Sequence, residues 1–107
     1  MPFKALFLAH APDADKEKHR SIIDTGKYRL FTVVVRNQTE ALEVCREFVD
    51  KEGIDSVLLC PGFTNGDVAG IVEAVGNSVG VGVARSDGPS NKVSLAAMER
   101  AGYFRKE

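Results

Sequence analysis

Residues 30–60 read LFTVVVRNQTEALEVCREFVDKEGIDSVLLC and contain a complete strand–helix–strand unit. Residues 30–35 are rich in β-branched side chains, and the short apolar run 56–60 has the composition of a buried strand. Between them, Asn37 and Glu40 have the spacing of a capping box, and apolar residues then recur at the helical period until a glycine ends the pattern. This order predicts two parallel strands joined by a right-handed helical crossover.

The alternation of strands and helices extends toward the N-terminus. Residues 3–9 form an almost continuous apolar run that predicts the first strand. Residues 16–24 follow the acidic residues Asp13 and Asp15, which suit a helix N-terminus, and predict a helix with His19 on its apolar face.

The alternation also extends toward the C-terminus. Residues 64–75 predict a helix, because Thr64 and Asp67 again have the capping-box spacing. Valines alternate with small residues over 79–83 and predict the fourth strand, and a last helix is predicted over 93–101.

Four strands that alternate with helices predict one α/β domain over residues 1–107. We expect a small three-layer sandwich in which a four-stranded, mainly parallel sheet carries helices on both faces, flavodoxin-like or Rossmann-like. Two orders of the predicted strands remain open, 2-1-3-4 and 3-2-1-4.

Composition excludes several classes of function. Fourteen Lys and Arg oppose fifteen Asp and Glu, so the net charge of -1 creates no field that attracts nucleic acid or an anionic membrane. No apolar run is long enough to span a bilayer, and we expect a cytoplasmic protein. Cys45 and Cys60 are too few for a disulfide scaffold or a zinc site, and we expect neither a metal nor a cofactor.

Polar side chains follow the carboxyl ends of the predicted strands, where α/β sheets bind ligands. These are His10, the pair Arg36 and Asn37, residues 60–66 and residues 85–88. Strand order 2-1-3-4 places His10 beside residue 60, and order 3-2-1-4 places it beside residue 85. His10 belongs to the predicted site in both orders, although a structural hydrogen bond to a loop carbonyl would also explain it.

Cys60 is the candidate nucleophile or acid/base group, because it lies between a strand end and a helix N-terminus that would favour a thiolate. His10 could serve as its proton partner. The alternative is a thiol that only packs as a small hydrophobic group. Cys45, on the apolar face of its helix, is expected to pack in the core.

An anion could bind in the loop that follows Cys60, because Gly62 lets the backbone approach closely and Thr64 and Asn65 begin a helix with free amides. A plain turn with a helix cap is the alternative. Arg85 could bind the same carboxylate or phosphate, or it could simply pair with Asp87 in a turn.

Four stretches, residues 15–20, 59–65, 68–75 and 81–88, together resemble domain-of-unknown-function family 6506, an uncharacterised bacterial family of about this length. The resemblance implies no activity. It implies that His19, Gly62, Phe63, Arg85 and Asp87 join Cys60 in one site, although His19 could instead pack with its isoleucine neighbours. Ser86 stands where the family usually has an aromatic residue, so the resemblance does not imply a ring over the pocket.

Two functions follow from these features. The leading hypothesis is a small anionic metabolite held at the C-terminal edge of the sheet, with catalysis left open. The alternative is a non-catalytic module that forms a homo-oligomer or docks on a partner through Tyr103, Phe104 and the exposed edges of a short sheet.

Overall fold

A computed structural model of the protein describes residues 1–104, so residues 105–107 of the predicted tail lie outside the described part. Eight elements follow one another along the chain. They are β1 (Phe3–His10), β2 (Arg20–Asp24), β3 (Tyr28–Val35), α1 (Gln38–Glu52), β4 (Ser56–Leu59), α2 (Asn65–Val75), β5 (Gly80–Val83) and α3 (Gly88–Arg100).

The strands form one mixed sheet in the order β2-β3-β1-β4-β5. Strands β3, β1, β4 and β5 are parallel, and β2 pairs antiparallel with β3 at one edge. The α/β class and the mainly parallel sheet are therefore confirmed. The four predicted strands adopt the first of the two expected orders, but the predicted strand count was wrong, because the sheet has five strands.

The fifth strand replaces the helix that was predicted over residues 16–24. Residues 16–19 form a turn, in which the Asp15 carboxylate accepts a hydrogen bond from the Glu17 backbone N–H at 3.0 Å. Residues 20–24 then form β2, and Gly26 turns the chain back toward β3 with a φ of +100°. A short isolated helix forms with difficulty, whereas β-branched residues such as Ile22 and Ile23 gain a full ladder of hydrogen bonds beside β3.

Capping residues explain where α1 and α2 begin. The Asn37 side chain accepts from the Glu40 backbone N–H at 2.9 Å, but the Glu40 carboxylate accepts from the Arg36 N–H, so the predicted box is displaced by one residue. The box between Thr64 and Asp67 is complete. Helix α3 begins at residue 88, five residues before the predicted start at 93.

The hydrophobic core lies on one face of the sheet. Residues such as Leu6, Leu8 and Val33 are fully buried beneath α1 and α2, which also contact each other. Both crossovers, β3–α1–β4 and β4–α2–β5, move in the same direction across the sheet, so right-handed connections place both helices on the same face. The connection between β1 and β3, which could have placed a helix on the other face, forms β2 instead. The expected three layers are therefore wrong for the described residues, which pack in two.

Helix α3 stands apart from these two layers. None of its residues, 88–100, is buried in the described chain. Within residues 1–104, no helix is both long enough and apolar enough to cross a membrane.

Candidate functional site

The sheet brings His10 and Cys60 together, as the order 2-1-3-4 predicts. His10 ends β1 and Cys60 follows the neighbouring strand β4, where its backbone N–H donates to the Leu8 carbonyl at 3.0 Å. Cys60 Sγ lies 4.0 Å from His10 Nδ1. This distance is at the outer limit for a hydrogen bond to sulfur, so a small movement would join the two groups directly.

The loop after β4 packs against the His10 ring. Phe63 is buried, and its ring stacks on the imidazole with the centroids 4.1 Å apart and 30° between the planes. A Cβ atom at Gly62 would lie 3.4 Å from His10 Nδ1 and 3.6 Å from Cys60 Sγ. The absence of a side chain at Gly62 therefore keeps the imidazole and the thiol open to a ligand.

Burial affects the charge of His10. Removal of the imidazole from water lowers the pKa of His10 below its ordinary value, and the negative charge of Asp67 opposes this only in part. The neutral form is therefore favoured at pH 7, and a neutral imidazole can accept a proton.

His10 and Cys60 line a cavity of about 530 Å³ between the carboxyl ends of β1 and β4 and helix α3. The other wall is one stripe of α3 at the spacing i, i+3, i+4 and i+7, formed by Asn91, Ser94, Leu95 and Met98. The sequence-based prediction missed this wall, because it did not place the last helix against the strand ends. The apolar residues Leu95 and Met98 within a polar helix were the signal that could have indicated it.

The end of α3 folds two aromatic residues onto the cavity. Gly102 has a φ of +84°, its N–H donates to Glu99, and the Tyr103 N–H donates to the Met98 carbonyl at 3.1 Å. These bonds form a Schellman motif, which requires a left-handed residue at the glycine position. Tyr103 and Phe104, predicted as a docking tail, consequently line the cavity.

The remaining loop residues have local roles. The Thr64 hydroxyl accepts from the Asp67 N–H at 3.1 Å as the cap of α2, and Asn65 is the exposed first residue of that helix. Neither side chain is among those that line the cavity within the described chain.

Arg85 and Asp87 pair with each other at the surface. The Arg85 Nε atom donates to the Asp87 carboxylate at 2.8 Å, and both side chains are largely exposed. This geometry matches the turn interpretation. Ser86, between them, is the residue that reaches the cavity.

His19 lies away from the cavity. Its Nδ1 accepts from the Asp15 backbone N–H at 2.8 Å, and its carbonyl accepts from Val34 of β3. This position is two strands from β1, so the structure does not bring His19 to Cys60 as the resemblance implied.

Among the side chains that line the cavity in the described part of the chain, His10 is the one that could carry a positive charge. Within residues 1–104, no Lys, Arg, Asp or Glu side chain lines it. No group of three or more potential metal ligands was found among the described residues. Cys45 is fully buried in the core as predicted, and burial raises the pKa of its thiol to about 12.

Comparison with known proteins supplies one relationship. No curated protein and no solved structure matches the chain. The model of a family of unknown function, DUF6506, matches residues 3–99 of the 107 residues. This match spans all eight elements except the last residue of α3. The chain therefore belongs to the DUF6506 family.

Proposed function

We propose that the protein binds a small molecule in the cavity between β1, β4 and α3. The observation that carries this proposal is a cleft of about 530 Å³ directly beside His10 and Cys60, which is partly open to solvent. Ligand sites in proteins commonly measure about 300–1,000 Å³ and combine apolar walls with a few polar groups. The walls here have that composition.

The position of the cavity also supports binding. We infer a flavodoxin-like arrangement of the four parallel strands, since β3-β1-β4-β5 follows the order 2-1-3-4. In such sheets the ligand site lies where the strand order reverses, between the first strand and its later neighbour. In this chain that point is the boundary between β1 and β4.

The lining favours an uncharged ligand over the anionic metabolite that the strand-end residues suggested. An anion in an apolar cavity needs a cationic partner, because its desolvation is costly. Arg85 pairs with Asp87 instead, and His10 favours its neutral form. The proposed ligand therefore has an apolar body, which packs against Leu95 and Met98, and one or two hydrogen-bonding groups that reach His10.

Chemistry at the bound molecule would depend on Cys60. Neutral His10 can accept the proton of the Cys60 thiol, which would leave a thiolate facing the ligand. In this hypothesis Cys60 is the nucleophile and His10 its base. A cytoplasmic location remains a prediction, which two free thiols, Cys45 and Cys60, support.

A thermal-shift panel tests binding and ligand class together. The panel holds small aromatic and aliphatic alcohols and amides, each with its matched carboxylate and phosphate ester. At 100 times Kd a ligand should add about 2.7 kcal/mol of stability, which raises Tm on the order of 10 °C for a domain of this size.

Two α3 variants make the panel specific for the cavity. Ser94→Trp places an indole in the lining, whereas Ala96→Trp places the same group on the opposite side of α3. We expect Ser94→Trp to abolish the shift and Ala96→Trp to retain it. Equal shifts in both variants, or no shift with any compound, would contradict the proposed site; a shift with anions alone would contradict the uncharged ligand.

Alkylation tests whether Cys60 lies in the ligand site. Iodoacetamide should modify the half-buried Cys60 in the folded protein, and a compound that raises Tm should slow this reaction. Cys45 is an internal control, because its buried thiol should react only after unfolding. Mass spectrometry of peptides measures both. Stabilisation by a ligand without protection of Cys60 would separate the binding site from the thiol.

A further inference from the structure

One face of the sheet carries apolar side chains that no helix within residues 1–104 covers. We call it the open face and define it as the side opposite α1 and α2. It holds the odd-numbered residues of β1 from Phe3 to Ala9, the even-numbered residues of β3 from Tyr28 to Val34, and Ser56 and Leu58 of β4. At its two edges it also holds Ser21 and Ile23 of β2 and Gly80 and Gly82 of β5. Strand alternation assigns these residues, because their neighbours in sequence, such as Leu6, Val33 and Val57, are buried on the core face.

The open face is exposed at its rim and half-buried at its centre, where Ala5 is covered by its larger neighbours. Phe3 is 50% exposed, Tyr28 40% and Leu58 42%. Helix α3 lines the cavity together with Ala9 and His10 at the end of β1, and none of its residues, 88–100, is buried. Parallel strands usually occur in sheets that are covered on both faces, so this apolar surface departs from the rule for such sheets.

The open face is also free of charge. Within the five strands, alternation assigns no Asp, Glu, Lys or Arg to it, and its outer strands β2 and β5 contribute Ser, Ile and Gly. Charged residues are depleted in the centre of interfaces between identical subunits. An uncharged surface can also face itself across a two-fold axis, since no like charges are brought together.

The size of the open face fits a small homodimer. The four strands β2, β3, β1 and β4 are spaced at about 4.8 Å and rise about 3.3 Å per residue, so together they present a projected area on the order of 400 Å². The accessible area exceeds the projection because the side chains stand out from the sheet. A stable interface buries roughly 800 Å² on each partner, so the whole open face, including its exposed rim at Phe3, Tyr28 and Leu58, has to take part in the contact.

We propose that two copies of the chain associate through their open faces, with the two sheets packed face to face. This packing buries Phe7 and Leu30 at the centre and gives each sheet the second apolar layer that its own helices do not supply. Ala9 belongs to both the open face and the cavity wall, so the second copy also borders the proposed ligand site. The dimer does not depend on whether the cavity binds a ligand.

Size-exclusion chromatography with light-scattering detection, run over a range of protein concentrations, tests whether the chain forms a dimer. The wild-type chain should have twice the monomer mass. Leu58→Lys should raise the dimer dissociation constant about 100-fold or more, because the two-fold axis buries the unpaired charge twice. Ile22→Lys is the matched control. Ile22 is also exposed, at 63%, but it lies on the edge strand β2 beside Phe31, on the core face of the sheet.

Phe3→Lys is a second variant of the open face and tests the same prediction from β1 if Leu58→Lys does not fold. Circular dichroism establishes folding. A wild-type monomer at every concentration would overturn the proposal. So would a dimer that survives both open-face substitutions, or one that Ile22→Lys dissociates, since that result would point to pairing through the β2 edge.

Discussion

His10 shows how the surroundings of one side chain select its chemistry. Its imidazole stacks on Phe63 and lies beside Cys60, so it has lost part of its hydration. Desolvation lowers the pKa of His10, and the Asp67 carboxylate does not reverse this effect. The residue is therefore suited to accept a proton at neutral pH and poorly suited to attract an anion.

The lowered pKa of His10 predicts a pH dependence of stability. Below the ordinary value of 6.5, the unfolded chain binds a proton that the folded chain resists, so the free energy of unfolding should fall as pH falls toward the folded pKa. Urea denaturation at pH 7.5 and pH 5.5 measures this change, and His10→Gln should reduce it. NMR titration provides the control: an imidazole midpoint in the folded protein at or above that in urea would contradict the prediction.

Helix α2 positions the loop that touches His10. Its capping box joins Thr64 and Asp67 through two hydrogen bonds, of 3.1 Å and 3.2 Å. The box fixes the start of α2 directly after Phe63 and so holds the ring of that residue against the imidazole. At the other wall, the Schellman motif of α3 acts in the same way on Tyr103.

Removal of the α2 cap should weaken the whole domain. Thr64→Ala leaves a backbone N–H of the first turn without its partner, and we expect a loss of about 1–2 kcal/mol in the free energy of unfolding. Thr64→Ser keeps the hydroxyl and should stay within about 0.5 kcal/mol of the wild type. Urea denaturation compares the two variants. An alanine variant as stable as the serine variant would show that the cap does not stabilise α2.

The molecule as a whole is asymmetric about its sheet. One face carries the core beneath α1 and α2, and the other carries the uncharged open face. This asymmetry arises because both crossovers have the same hand and direction, while the connection between β1 and β3 forms a strand in place of a helix.

Two adjacent residues of α2 test which side of the helix packs on the sheet. Ile71 is fully buried, whereas Val72 is 50% exposed. Ile71→Ala should lower the free energy of unfolding by about 2–5 kcal/mol, because it opens a cavity beneath the helix. Val72→Ala should change it by about 0.5 kcal/mol or less. Similar losses at both positions in urea denaturation would contradict the burial of the Ile71 side of α2 against the sheet.

Much of the candidate site could be anticipated from residue order. His10 and Cys60 follow strand ends, and their meeting needed only the choice between two strand orders. His19 could not be placed in the same way, because its role depends on whether residues 16–24 form a helix or a strand. The α3 wall was missed because Asn91, Ser94, Leu95 and Met98 face the cavity only once the helix has folded back on the strand ends.

Local pattern alone was enough for α1, α2 and the four parallel strands. Their caps and periodicities are interactions between residues a few positions apart, so the printed sequence contains them. Tertiary structure decided the identity of β2, the order of the strands and the face on which the helices lie. These depend on contacts between distant segments: residues 20–24 are stable as a strand only because β3 supplies their hydrogen-bond partners.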